Sequence, residues 1–118
     1  MATTFLTRIT KKPLAMFNDG TNLYIGTNEG RVKQVVISTK AETLLRQYDS
    51  PVTALQANSD NTILYVGLAT GELHSLTIAT KADTLNDWFT AGVQSFGLSS
   101  TNLYIGLNNG KIELKDLS

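Results

Sequence analysis

The sequence predicts an all-β fold assembled from repeated four-stranded units, on three observations. The first is a repeat: Asn22-Leu23-Tyr24-Ile25-Gly26-Thr27-Asn28-Glu29-Gly30 returns as Ile63 to Gly71 and as Asn102 to Gly110. The second is the turn inside it, a four-residue connection closed by Gly30, Gly71 or Gly110 between two apolar stretches, which reads as a β-hairpin. The third is the spacing of Gly26, Gly67 and Gly106, 41 and then 39 residues apart, a period typical of stacked repeat units.

Taken in order, Thr4 to Thr10 is rich in β-branched and aromatic residues and reads as a strand ending at Lys11-Lys12-Pro13. Leu14 to Phe17, Leu23 to Thr27, Arg31 to Ser38 and Glu42 to Tyr48 follow, separated by Asn18-Asp19-Gly20, Asn28-Glu29-Gly30 and Thr39-Lys40. Val52 to Ala57, Ile63 to Leu68, Glu72 to Ala79 and Asp83 to Phe89 repeat that order. Gln94 to Leu98, Leu103 to Leu107 and Lys111 to Leu117 give three strands of a third unit. Setting Pro13 against Pro51 places Leu6 opposite Leu44 and Arg8 opposite Arg46, so Thr4 to Lys12 has the sequence of a fourth strand. The second strands are apolar on both sides (Leu23, Tyr24, Ile25; Leu64, Tyr65, Val66), as expected where each unit is packed between two others. Gly26, Gly67 and Gly106 then mark close backbone approach or a bulge.

One strand, then four, four and three, is the strand offset of a circular β-propeller whose N-terminal strand completes the last blade. The expected blades span about 13–49, 51–90 and 92–118, within a single domain of 118 residues. Three blades alone would have to meet at about 120°, whereas propellers hold about 4 to 8. A homodimer of six blades is therefore expected, with a trimer of nine less favoured. In it, strand 4–12 of one chain closes the third blade of the other, and Phe5, Leu6, Ile9, Ile112 and Leu114 carry the assembly.

The repeats resemble those of WD-repeat β-propellers, and more distantly the Leu-Tyr-Val-Gly-Thr-x-x-Gly hairpin of quinoprotein-type propellers. Asn109-Gly110-Lys111-Ile112-Glu113-Leu114-Lys115-Asp116-Leu117 is similar to the WD-repeat pattern Asp-Gly-Thr-Val-Arg-Val-Trp-Asp-Leu, and Pro51-Val52-Thr53-Ala54-Leu55 to its opening strand. The resemblance implies the blade and no more. The turn aspartate of that family is replaced by Glu29, Thr70 and Asn109, its tryptophan by Val35, Leu76 and Lys115, and its Gly-His is missing. The tryptophan docking motif of the quinoprotein repeats has no counterpart, so no cofactor is implied.

Function is less legible. Lys and Arg total 10, as do Asp and Glu, for a net charge of 0, which gives no electrostatic case for nucleic acid or an anionic membrane. With no cysteine there is no thiolate chemistry, and no stretch reads as a signal peptide or membrane span; the compartment is open, with the cytoplasm favoured. His74, the single histidine, aligns with Lys33 and Glu113 and is read as solvated rather than catalytic. Asn58-Ser59-Asp60-Asn61 lacks the spacing and closing glutamate of a calcium loop. No catalytic, cofactor or metal residues are assigned. Lys11, Lys12, Tyr48, Trp88 and Phe89 stand at fourth-strand ends, where they would either form a binding surface on one rim or fill the crevice between blades; filling is the favoured reading. The sequence thus points to a non-enzymatic scaffold that binds itself and another macromolecule. A carbohydrate-binding propeller, or an engineered or partial propeller whose one property is assembly, are the alternatives.

Overall fold

The computed structural model describes residues 2–9 and 11–118. It contains eleven strands and, among the described residues, no helix. Blade one is β1 (Pro13–Asn18), β2 (Asn22–Thr27), β3 (Arg31–Val36) and β4 (Glu42–Gln47). Blade two is β5 (Val52–Ala57), β6 (Ile63–Leu68), β7 (Glu72–Thr77) and β8 (Asp83–Trp88). Blade three is β9 (Val93–Leu98), β10 (Asn102–Leu107) and β11 (Ile112–Asp116). Within each blade the strands are antiparallel and hydrogen-bonded in chain order. The fold is therefore the all-β, bladed one that the repeats predict.

Turn chemistry sets the hairpins. Asp19 Oδ1 accepts the backbone N–H groups of Thr21 at 2.9 Å and Asn22 at 2.7 Å, and Gly20 takes φ +95°. Burial raises the Asp19 carboxyl, but these N–H donors outweigh it and hold the group below its ordinary value. In the next turn the buried Thr27 hydroxyl accepts Arg31 N–H at 3.1 Å, and Gly30 adopts φ +86°. The third turn places Lys40, and its counterpart Lys81, in the left-handed region.

The apolar residues form two cores, each lying between blades. Tyr24, Val32, Leu45 and Tyr48 of blade one meet Val52, Leu55, Leu64 and Val66 of blade two. Ala54, Tyr65 and Leu73 of blade two meet Val93, Leu103 and Ile105 of blade three. This is why β2 and β6 read as apolar on both faces: each blade's own strands are a single layer, and the core is made by stacking layers. The first-strand residues Val52 and Val93 press onto Gly26 and Gly67 of the preceding blade, so that an added methyl at either glycine would lie 2.7–2.8 Å from the valine Cβ. At Gly106 the nearest atom to such a methyl is Ser95 Oγ of its own blade, at 2.7 Å.

The twelfth expected strand is not assigned. Residues 2–9 make no strand ladder, and Thr10 lies outside the described residues. A strand needs a hydrogen-bonding partner, and the edge this segment resembles a partner for, β11, is two blades away. The register of this segment also needs correcting. Asn28, Ala69 and Asn108 donate their N–H groups to the carbonyls of Lys12, Pro51 and Gly92 at 2.9, 3.0 and 2.9 Å. Lys12, not Pro13, is thus the structural equivalent of Pro51. The alignment on proline was one residue out, and in a strand one residue reverses the face of every side chain.

Candidate functional site

Two features stand out from the bladed scaffold: the rim that carries the glycine-closed turns, and the two end faces of the arc.

Of the five rim residues, Lys11 and Lys12 lie just before β1, Tyr48 and Phe89 just after β4 and β8, and Trp88 at the end of β8. Lys11 pairs with Glu29 at 3.0 Å, and the Lys12 carbonyl caps the same turn through Asn28. Tyr48 N–H donates to Gly30 O and Phe89 N–H to Gly71 O, both at 2.8 Å. Trp88 Nε1 donates to Thr70 O at 3.2 Å, leaving its ring 68% exposed. Side-chain directions then divide the set. Tyr48 is buried in the core between blades one and two, and Phe89 packs against the core between blades two and three. Trp88, Lys11 and Lys12 remain at the surface. Crevice filling is therefore the role of Tyr48 and Phe89; it fails for Trp88, because adjacent residues of a strand point to opposite faces.

His74 is a correction. It is not solvated but 7% exposed. Its Nδ1 lies 2.9 Å from Asp83 Oδ2 and its Nε2 3.2 Å from Glu72 Oε1, while its ring sits 4.7 Å, centroid to centroid, from Tyr48. The Tyr48 hydroxyl donates to Asp83 Oδ1 at 2.6 Å. Burial, and then the hydrogen bond to the Asp83 carboxylate, raise the Tyr48 phenol well above its ordinary value. One side chain of blade one, Tyr48, is thereby tied to two of blade two, Asp83 and His74, and Glu72 holds the other side of the imidazole. Both imidazole nitrogens face carboxylates, so neither is open to a substrate, and the cluster acts as a polar joint between blades. The aligned residues misled the reading: Lys33 at the same position is paired at 3.7 Å with Glu42, itself aligned with Asp83. The signal available in the sequence was the Tyr48 and Asp83 pair, one at each end of neighbouring fourth strands. Among the described residues no group of three or more His, Asp or Glu side chains is placed to hold a metal ion, and no helix is long and apolar enough to cross a membrane.

The end faces break the repeat. Val32 and Leu73 are 0% exposed, yet Ile112 at the same position of blade three is 75% exposed. Tyr24 and Tyr65 are buried, whereas Tyr104 is 42% exposed, and Leu114 is uncovered beside it. At the other end, Met16 is 63% exposed where its equivalent Leu55 is 7%. Each of these side chains points where a neighbouring blade would lie.

No protein-family model and no curated protein matches the chain. Solved structures do. The computationally designed Ika4 protein aligns at TM-score 0.78 and 21% identity over 90% of this chain and 66% of that one. The Myceliophteria thermophila Cps50 (Swd1) β-propeller domain aligns at 0.77 and 17% over 94% of this chain and 37% of its own. U3-55K aligns at 0.82 and 10%, over 95% of this chain and 38% of its own. The chain thus spans less than two-thirds of each. At these identities the likeness is one of fold, and the chain is an arc of three degenerate β-propeller blades.

Proposed function

We propose that this chain is a non-enzymatic scaffold that closes a six-bladed ring from two copies and binds a macromolecular partner through its turn-bearing rim. The observation that carries the reading is the asymmetry between middle and ends. Side chains that are buried wherever a neighbouring blade exists are open at both ends of the arc, and a second copy supplies a blade for each of them by cyclic symmetry. An arc left open presents a contiguous apolar face and a free strand edge, both of which promote association. Trp88, held by its indole N–H yet exposed, is the anchor this rim offers to the partner, because exposed aromatics are over-represented among the residues that dominate protein interfaces; Lys11 and Lys12 add positive charge to the turn-bearing rim of blade one.

Light scattering across a dilution series tests the ring. A mass of twice the 12.8 kDa chain is expected. Three times that mass would replace six blades by nine, and a stable monomer would overturn the reading. Presenting the assembled ring to immobilised glycans separates a protein-binding rim from a carbohydrate-binding one.

A further inference from the structure

We infer that Thr3 to Ile9 is the fourth strand of the third blade in a second copy, with Phe5 opposite Glu113, Thr7 opposite Ile112 and Arg8 opposite Lys111 of that copy. This rests on the proposal that copies join end to end, and adds to it the segment that joins them and its register.

The register follows from the corrected equivalence. With Lys12 matched to Pro51 and Gly92, three residues back lie Ile9, Tyr48 and Phe89. Thr4 then matches Thr43 and Thr84, Phe5 matches Leu44 and Leu85, and Leu6 matches Leu45. The match on proline set Thr4 against Glu42 and gave no such threonine correspondence. In blades one and two the cross-strand partners are Lys33 with Leu44 and His74 with Leu85, and Val32 with Arg46 and Leu73 with Asp87. Carried to β11, these give the pairs stated, and Ile9 N–H donates to Gly110 O as Tyr48 and Phe89 donate to Gly30 and Gly71.

The single chain already gives this segment the burial pattern of a fourth strand. In β4 and just past its end, the side chains that face the following blade are Leu45 and Tyr48, spaced by three. Their equivalents Leu6 and Ile9 are half-buried, while Phe5 and Arg8 are exposed, as are Leu44 and Gln47. The Thr7 hydroxyl donates to Glu42 Oε2 at 2.9 Å, fixing the segment on blade one. What it lacks is a ladder. What β11 lacks is an outer neighbour for its edge, and a cover for Ile112 and Leu114. A segment seated on blade one of its own chain has blade two between it and its own β11, so its partner edge belongs to another copy. The same register moves Phe5 out of the assembly core: its equivalents Leu44 and Leu85 stay 47% and 48% exposed with their blades complete.

Because the chain has no cysteine, paired cysteines read the register directly. Full-length Phe5→Cys/Glu113→Cys is oxidised and run on a non-reducing gel beside Leu6→Cys/Glu113→Cys, the pair demanded by the alignment on proline. The first is expected to give mainly covalent dimer and the second several-fold less, since only directly opposed strand residues bring their Cβ atoms within disulfide reach. Preferential cross-linking of the Leu6 pair, or a disulfide confined to one chain, overturns the inference. No cross-link from either pair while light scattering still gives a dimer also overturns it, and leaves the ring proposal standing. Leu6→Asp is a second measure: dimer mass is expected to be lost while Phe5→Asp retains it, and equal effects of the two would contradict the assignment of faces.

Discussion

Gly67→Ala tests whether the blades are stacked as closely as the structure shows. Gly67 lies in β6 under the first strand of blade three. An added methyl would be inside van der Waals contact with Val93 Cγ1, 2.8 Å from Val93 Cβ and 3.0 Å from Phe96 Cζ. Because Val93 sits on backbone that is itself in a ladder, relief requires β6 and β9 to separate. Overpacking of this kind costs about 1–3 kcal/mol, offset by about 0.4–1 kcal/mol from the stiffer unfolded chain. The net loss is on the order of 1–2 kcal/mol, or roughly 4–8 °C in Tm. Gly97→Ala is the control, since the nearest atom to its methyl is Tyr104 Cβ at 3.9 Å; no loss is expected there. Urea denaturation at one fixed protein concentration measures both, so that any coupling to assembly is held constant. Val93→Ala introduced with Gly67→Ala removes the nearest clashing atom and should recover part of the loss, giving a coupling energy of about 1 kcal/mol. If Gly67→Ala lies within about 0.5 kcal/mol of the parent, the range usual for an unconstrained surface site, or if the two substitutions are additive, the close approach of blades two and three is refuted.

His74→Leu should destabilise by about 1–3 kcal/mol, because it strips the partner from two carboxylates in a buried joint; Lys33→Ala, at the same position of blade one, should cost about 1 kcal/mol or less. Equal losses in urea melts would contradict the joint. The Tyr48 phenol is raised in the fold, so its contribution to stability is complete below the ordinary tyrosine value of about 10 and is lost as pH rises above it. Between pH 9 and 11.5, roughly, the parent should therefore lose more stability than Tyr48→Phe, and parallel profiles would remove Tyr48 from the account. Trp88→Ala is expected to leave the melting transition unchanged, since the ring is exposed, and to weaken capture of a macromolecular partner; a stability loss above about 1 kcal/mol would instead make Trp88 a packing residue.

The residues differ in how far the sequence alone could speak for them. The glycine-closed turns were legible because they follow a short-range rule, a turn conformation that needs positive φ. Gly26 and Gly67 and the doubly apolar second strands were legible because the same packing against a neighbouring blade recurs at a fixed spacing in the chain, a spacing that Gly106 continues. These two signals sufficed for an all-β fold of stacked blades. The sequence also marked Thr4 to Thr10 as strand-like, but not its register, because aligning Pro13 on Pro51 relied on residue identity. The hydrogen bonds accepted by Lys12, Pro51 and Gly92 establish backbone equivalence. Tertiary structure alone separated His74 from Lys33, which share a position but not neighbours: the side chain facing His74 across the joint is Tyr48, from another blade. It alone showed that Tyr48 and Phe89 turn inward while Trp88, one residue earlier in the repeat and equivalent to Gln47, stays outward, and it alone showed which apolar residues go uncovered. Burial in a single-layer blade is conferred by the adjacent layer, so Ile112 and Val32 look alike in the sequence and differ only in whether a blade stands beside them.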